Sequence, residues 1–181
     1  MRNSRAWVGV AAVSFLWACS SALTRHPVAA ATAPLLDVSG ASVGVAEMWQ
    51  EATGLVHVDV AANHLTPGQH GIHFHAVGKC EGGTTAFSTA GGHYNPLSKS
   101  HGLSNPAGPH AGDAPNLVIR ADGSGHMSFT TERITLTPGS TTLFDSDGTA
   151  VVIHAAPDDQ TSQPSGNSGA RIACGVITSA P

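Results

Sequence analysis

The sequence predicts an all-β domain, a sandwich or barrel. Three observations carry this. Short segments rich in Val, Ile and Ala alternate with a period of two, Gly and Pro turn signals separate them, and no window holds a 3.6-residue apolar stripe flanked by helix caps. In order, the strands expected are residues 44–48, 54–60 (GLVHVDV), 71–77 (GIHFHAV) and 150–154 (AVVIH). Turns are expected at 65–68 (LTPG), 121–123 (ADG), 137–139 (TPG) and 147–148 (DG). Two stretches, 78–115 and 155–170, break the even spacing, and loops of such length in a compact domain are usually functional or disordered.

Composition narrows the function. At 181 residues the chain holds one domain and a short appendage. Only 11% of residues are charged, against about 25% in an average soluble domain, which excludes coiled coils and charge-rich disorder. The 8 Lys and Arg form no cluster, so the footprint that neutralises a phosphate backbone is missing and nucleic acid is set aside as a partner. Eleven His against 1 Tyr and 5 Phe point to metal chemistry, because neutral imidazole is the commonest metal ligand.

Residues 1–18 read as a signal peptide. Arg2 and Arg5 precede the apolar run 6–18 (AWVGVAAVSFLWA), shorter than the ~20 residues a membrane span needs. The run ends in LWACS, similar to a bacterial lipobox in which Cys19 would become the lipid anchor; the alternative is an ordinary signal peptide cleaved near residues 29–31. Either route exports the chain to the periplasm or cell envelope, with membrane contact only through that lipid. Residues 19–34, small and interrupted by Pro, read as a flexible tether, leaving 35–181 as the domain. With Cys19 so assigned, Cys80 and Cys174 are an even pair in an oxidising compartment and are expected to form a disulfide; two buried free thiols are the alternative.

Metal ligands are sought among the histidines. His73 and His75 share one face of an extended strand, although an isolated H-x-H pair recurs by chance in a chain this rich in His. His93, His101, His110 and Asp113 lie in one Gly- and Pro-rich loop that has too few large apolar residues to order itself. Three imidazoles and a carboxylate suit tetrahedral zinc, which would supply that order. His154 closes an apolar strand and, taken alone, would be an ordinary core histidine.

Together these stretches resemble the copper-zinc superoxide dismutases in their bacterial exported form. GIHFHAVGKCEG (71–82), AGGHYNP (90–96), KSHG (99–102), PHAGDAPNL (109–117), VVIHAAPDD (151–159) and GNSGARIACGVI (166–177) each match a family segment. The resemblance implies a Greek-key β-sandwich or flattened eight-stranded barrel with two long functional loops, an architecture of which the family is a known instance. It implies copper held by His73, His75, His93 and His154, and zinc held by His93, His101, His110 and Asp113. His93 would bridge the two metals and, with Arg171 as a guanidinium facing an anionic substrate, serve catalysis. Asp158 would link His73 to His101 and orient both. The implied reaction converts two superoxide anions to dioxygen and hydrogen peroxide, by a protein that is a monomer or a homodimer.

Departures from the family pattern are specific. Residues 155–170 contain no Lys or Arg, so substrate steering would come from elsewhere, with Lys79 and Lys99 as candidates. No His-rich N-terminal tract is present, and His57, His64, His70 and His126 fall outside the matched segments and read as ordinary surface or strand residues. A copper-delivery or zinc-only relative would lack a copper ligand or Arg171, and a copper-only relative would lack the zinc loop. All are present, which favours the enzyme.

Overall fold

Along β3 (Val56–Ala62), Val56, Val58, Val60 and Ala62 are buried while His57, Asp59 and Ala61 are not, so the period-two pattern becomes the inside and outside of a sheet. The computed structural model describes residues 27–82 and 85–180. The apolar run 6–18 and Cys19 lie outside the described residues. Besides β3, the strands are β1 (Ala29–Asp37), β2 (Ser42–Gln50), β4 (Gly68–His70), β5 (Ile72–His75), β6 (Leu117–Ile119), β7 (Gly125–Thr131), β8 (Ala150–His154), β9 (Arg171–Val176) and β10 (Thr178–Ser179). Among the described residues the only helical element is a 3-10 turn, Ser88–Ala90.

Every strand pair is antiparallel, in the order β4-β6-β7-β3-β2-β1-β9-β8-β5, with β10 added beside β1. The two ends of this order, β4 and β5, are separated in sequence only by Gly71, so the sheet nearly closes on itself. Taking β4 and β5 as one bent strand and setting aside two-residue β10 leaves the eight strands of the expected barrel. The neighbours β7–β3 and β1–β9 are far apart in sequence and mark the crossovers of a Greek key.

Leu35, Val43, Ala46, Met48, Val58, Leu117, Ile134, Leu143, Val151 and Ile153 fill the interior. A smaller cluster, Phe87, Ala90, Ala150, Val152 and Cys174, covers the opposite face of β8 and β9. Both faces of this hairpin are therefore buried, and β8 is buried at all five positions.

One boundary needs correction. Residues 29–34, expected to be tether, are the first six residues of β1 and pair with β2 from Ala29↔Gln50 to Pro34↔Val45. The inward positions here are Ala31 and Ala33, whose side chains are so small that the alternation reads like a linker, yet both are buried. The loops are as long as expected: among the described residues no strand lies between His75 and Leu117, or between His154 and Arg171.

Candidate metal centre

Alternation along β5 sends Ile72 and Phe74 into the barrel core and His73 and His75 to the other face. The long loop then lies along β5 almost as another strand. His73 is bridged to Asp113 and His75 to His93, the Phe74 N–H donates to Gly112 O at 2.9 Å, and the Tyr94 N–H donates to Phe74 O at 2.8 Å. Gly112 permits this approach, since a Cβ there would collide with the Phe74 carbonyl oxygen. His154 arrives from the end of β8, with its Nε2 3.4 Å from His75 Nε2.

Two groups result, each with its ligand-type atoms within 4.8 Å of one another: His73, His75, His93 and His154, and His93, His101, His110 and Asp113. His93 belongs to both. Asp113 organises the second group. Its Oδ1 lies 3.0 Å from His93 Nδ1, 2.9 Å from His101 Nδ1 and 3.4 Å from His110 Nδ1, and its Oδ2 accepts the N–H groups of Gly102 and His110. Asp158 spans the groups, with Oδ2 2.7 Å from His73 Nε2 and Oδ1 3.0 Å from His101 Nε2. Asp159 points away and accepts the Thr161 and Ser162 N–H groups of its own exposed turn.

The two groups differ in their electrostatics. Burial pushes His73 down to about 4 and His154 to about 3, and holds His75 well below the ordinary imidazole range. All three are neutral at pH 7, the form that ligates metals. Burial also disfavours charge on His101, but hydrogen bonds to Asp113 and Asp158 win and raise it to about 9. Burial works against ionisation of both carboxylates too, yet their histidine and backbone donors hold each below the usual range.

The cluster carries a specific signature of ligation. His73 Nδ1, His93 Nε2 and His110 Nδ1 are buried and have no hydrogen-bond partner among the described residues. Leaving a buried polar atom unsatisfied costs about 1–3 kcal/mol, so three in one cluster call for another partner, and imidazole nitrogens beside a carboxylate are the donor set that copper and zinc take.

Arg171 opens β9, opposite His154 across a register shift between Ile153 and His154. Its guanidinium donates to the carbonyl oxygens of Phe87, at 2.6 Å, and Gly91. The segment carrying those carbonyls is tied to β9 by the Cys80–Cys174 disulfide, with Cα atoms 5.6 Å apart, so the expected bridge is formed. A pocket of about 230 Å³, lined by His75, Gly92, His93, His154, Pro164, Ser165, Gly169 and Arg171, opens over the first group. Among the described residues Arg171 is the only cation in that lining; Lys79 and Lys99 are exposed elsewhere.

Two contributors escaped the sequence reading. His70, expected to be an ordinary surface or strand residue, is buried, with Nδ1 2.7 Å from His154 O and Nε2 2.8 Å from Thr66 O. No spacing rule marks it. Asn116 pairs through its amide with both the N–H and the C=O of Asp158, at 2.8 and 2.9 Å. Its signal was faint: it lies three residues after Asp113 in the matched segment 109–117. Of the other unmatched histidines, His57 is half-buried beside Glu51, while His64 and His126 are exposed.

Comparison with known proteins agrees with this geometry. The sequence model of a family described as copper/zinc superoxide dismutase matches residues 42–177. A protein named superoxide dismutase [Cu-Zn] 1 from Aquifex aeolicus (strain VF5) is 39% identical over 173 residues, covering 94% of this chain and 97% of its own. Among solved structures, a double mutant of a superoxide dismutase-like protein from Bacillus subtilis superposes with a TM-score of 0.75 at 41% identity, covering 80% of this chain and 95% of that one. The copper/zinc superoxide dismutase of Brucella abortus does so with a TM-score of 0.68 at 29% identity, covering 82% and 99%.

Proposed function

This chain belongs to the copper/zinc superoxide dismutase family, enzymes that use copper and zinc, and from that premise we propose which of its residues carry the reaction. Two superoxide anions and two protons become dioxygen and hydrogen peroxide. His73, His75, His93 and His154 form the copper group, and His93, His101, His110 and Asp113 the zinc group. The observation that carries this reading is the set of buried, unpartnered ring nitrogens on His73, His93 and His110, in groups that share His93. Bound there, copper supplies a one-electron redox couple, and zinc a fixed positive charge.

The chain's own residues supply position, protons and access. Asp158 fixes the ring planes of His73 and His101 at once, so a rotation of either ring breaks a bond of 2.7 or 3.0 Å. His93 Nε2 would take up a proton in one half of the cycle and donate it to the nascent peroxide in the other, while the opposite ring nitrogen, 3.0 Å from Asp113, would stay with the zinc group. Arg171 has two of its five N–H groups occupied by carbonyls, which lock the guanidinium at the pocket wall and leave others for an anion. The barrel interior is separate from the pocket and contributes rigidity.

Residues 1–18 act as an export signal, and Cys19 carries a lipid that holds the protein at the cell envelope. The disulfide supports an oxidising compartment, and the LWACS segment supports lipidation. Export then leaves residues 19–28 as the tether to the domain. Metal content of the purified protein, measured with superoxide turnover, tests the enzyme: a preparation holding copper and zinc without turnover overturns it. Cell fractionation of Cys19→Ala tests the anchor. Release to the soluble fraction with unchanged specific activity is expected, and identical fractionation of variant and parent rejects it.

A further inference from the structure

The loop 155–170 has no basic residue with which to guide an anion, yet it is heavily tied to the rest of the site. Several of its ties run to the segment that carries His101. The Gln163 side chain meets the main chain of His101 the way a neighbouring strand would: Oε1 accepts the His101 N–H at 2.8 Å, and Nε2 donates to His101 O at 3.0 Å and to Thr161 O at 3.1 Å. These partners fix which end of the amide is oxygen. Gln160 does the same over a wider span. Its Oε1 accepts the Leu103 N–H at 3.2 Å, its Nε2 donates to Ala114 O at 3.1 Å, and its backbone carbonyl accepts the Ser104 N–H at 3.2 Å. Both ends of the segment that bears His101, His110 and Asp113 are thereby held from across the sequence.

Gly166 lets the loop sit this close. Its φ is +63°, and a Cβ there would fall on Asp158 Oδ1 beside His101 Nε2. Immediately after Gln163, Pro164 and Ser165 form part of the pocket rim. The residue that grips the His101 backbone is thus joined covalently to the residues that border the substrate pocket.

We propose that Gln163 and Gln160 are positioning residues that make the loop 155–170 a clasp on the zinc group, setting the main chain of His101 and tying the zinc group to the pocket rim. The proposal rests on the reading of His101 as a zinc ligand. A free imidazole on an unordered loop must pay the cost of ordering when zinc binds, whereas a clasped one is already in place. Supporting partners of a metal ligand are typically worth 10–100-fold in affinity, and because Gln163 is exposed its share belongs at the low end.

The experiment uses the full chain, stripped of metal. Zinc affinity is measured by chelator competition, and the visible spectrum is recorded with Co(II) in place of zinc, for Gln163→Ala, Gln163→Met, the double variant Gln160→Ala/Gln163→Ala and His101→Ala. Gln163→Met keeps most of the side-chain volume and removes only the hydrogen bonds, so it serves where the alanine variant folds poorly. Each single Gln163 variant is expected to bind zinc roughly 10-fold more weakly and the double variant up to about 100-fold. The cobalt band should shift, a change that a loss of general stability would not produce. Parent-like zinc affinity and cobalt spectrum in the Gln163 and double variants, with zinc lost in His101→Ala, overturn the clasp and leave the zinc reading standing. Zinc retained in His101→Ala overturns both.

Discussion

The two halves of the metal cluster are built by different means. His73, His75 and His154 stand on β5 and β8, strands whose other face packs into the barrel core, and are kept neutral by burial. His101, His110 and Asp113 stand on a stretch of loop outside every strand and helical turn, and Asp113 joins them through charge-assisted hydrogen bonds. Hydrophobic folding therefore creates the strand-borne half as a by-product, whereas the loop-borne half is assembled by polar contacts. The contrast predicts that damage to the first half removes chemistry and leaves stability, and damage to the second does the reverse.

The largest effect is expected from His154→Ala, which should lower turnover by at least about 1,000-fold, on the order of 4 kcal/mol in barrier, while zinc content stays that of the parent. Loss of zinc together with copper would mean that the halves are not separately built. Next, His110→Ala should weaken zinc by about 100-fold or more. Zinc bound at 100 times its Kd stabilises the fold by about 2.7 kcal/mol, so Tm of the zinc-loaded protein should fall by roughly 5–11 °C. An unchanged Tm and zinc content would remove His110 from the group.

Arg171→Ala tests a residue that belongs to neither half. A charge-assisted hydrogen bond of about 1.5–3 kcal/mol corresponds to a 10- to 150-fold loss of kcat/KM, with metal content unaltered. As the only cation among the described residues that line the pocket, Arg171 should also account for most of the salt dependence, so the parent slows as ionic strength rises and the variant slows much less. Equal slopes and equal low-salt rates would dismiss it.

The smallest effect separates the halves by pH in the metal-free protein. His73 and His154 are lowered to about 4 and about 3 from an unfolded value near 6.5, so between those values the unfolded chain binds more protons and stability falls as pH drops. His101 has the opposite sign: raised to about 9, its contribution is complete below about 6.5 and is lost as pH rises through 9. Tm should thus pass through a maximum near neutrality and fall on the order of 5 °C by pH 5. A flat profile on the acid side would show that burial does not hold the strand-borne imidazoles neutral.

How much of this was legible in the sequence follows the same division. β5 was readable because Ile and Phe alternate with histidine there, and β8 because a run of Ala, Val and Ile ends in His154; both carry residues of the proposed copper group. Of the strands that were not expected, β1 and β7 are the longest. In β1 the inward positions are alanines, and in β7 Met127 and Phe129 are only partly buried among small polar residues, so neither stands out from a linker. In the loops, the cluster histidines were visible through composition and family motifs, but the residues that hold them were not. Asn116, Gln160 and Gln163 act through amides on backbone groups, and a backbone partner leaves no mark on sequence spacing. His70 went unread for a related reason: its partners are carbonyl oxygens, which every residue possesses.

The register shift in β9 has its own consequence for how this chain tolerates change. Ile153 faces Ala173 inside the barrel, and the next pair is His154 with Arg171, so Ile172 is an additional residue inserted between two facing pairs. Strict alternation through Ile172 would put Arg171 on the same side as Ala173 and aim a guanidinium into the hydrocarbon interior; the irregularity turns it outward. The constrained property of this segment is thus its irregularity more than its lettering. Exchanging Ile172 for Val or Leu preserves the count and the side on which Arg171 emerges. Straightening the strand with Ile172 still in place is what the fold cannot accept, because the domain would then have to bury a cation or unpair β9, although every residue of the chain is unchanged.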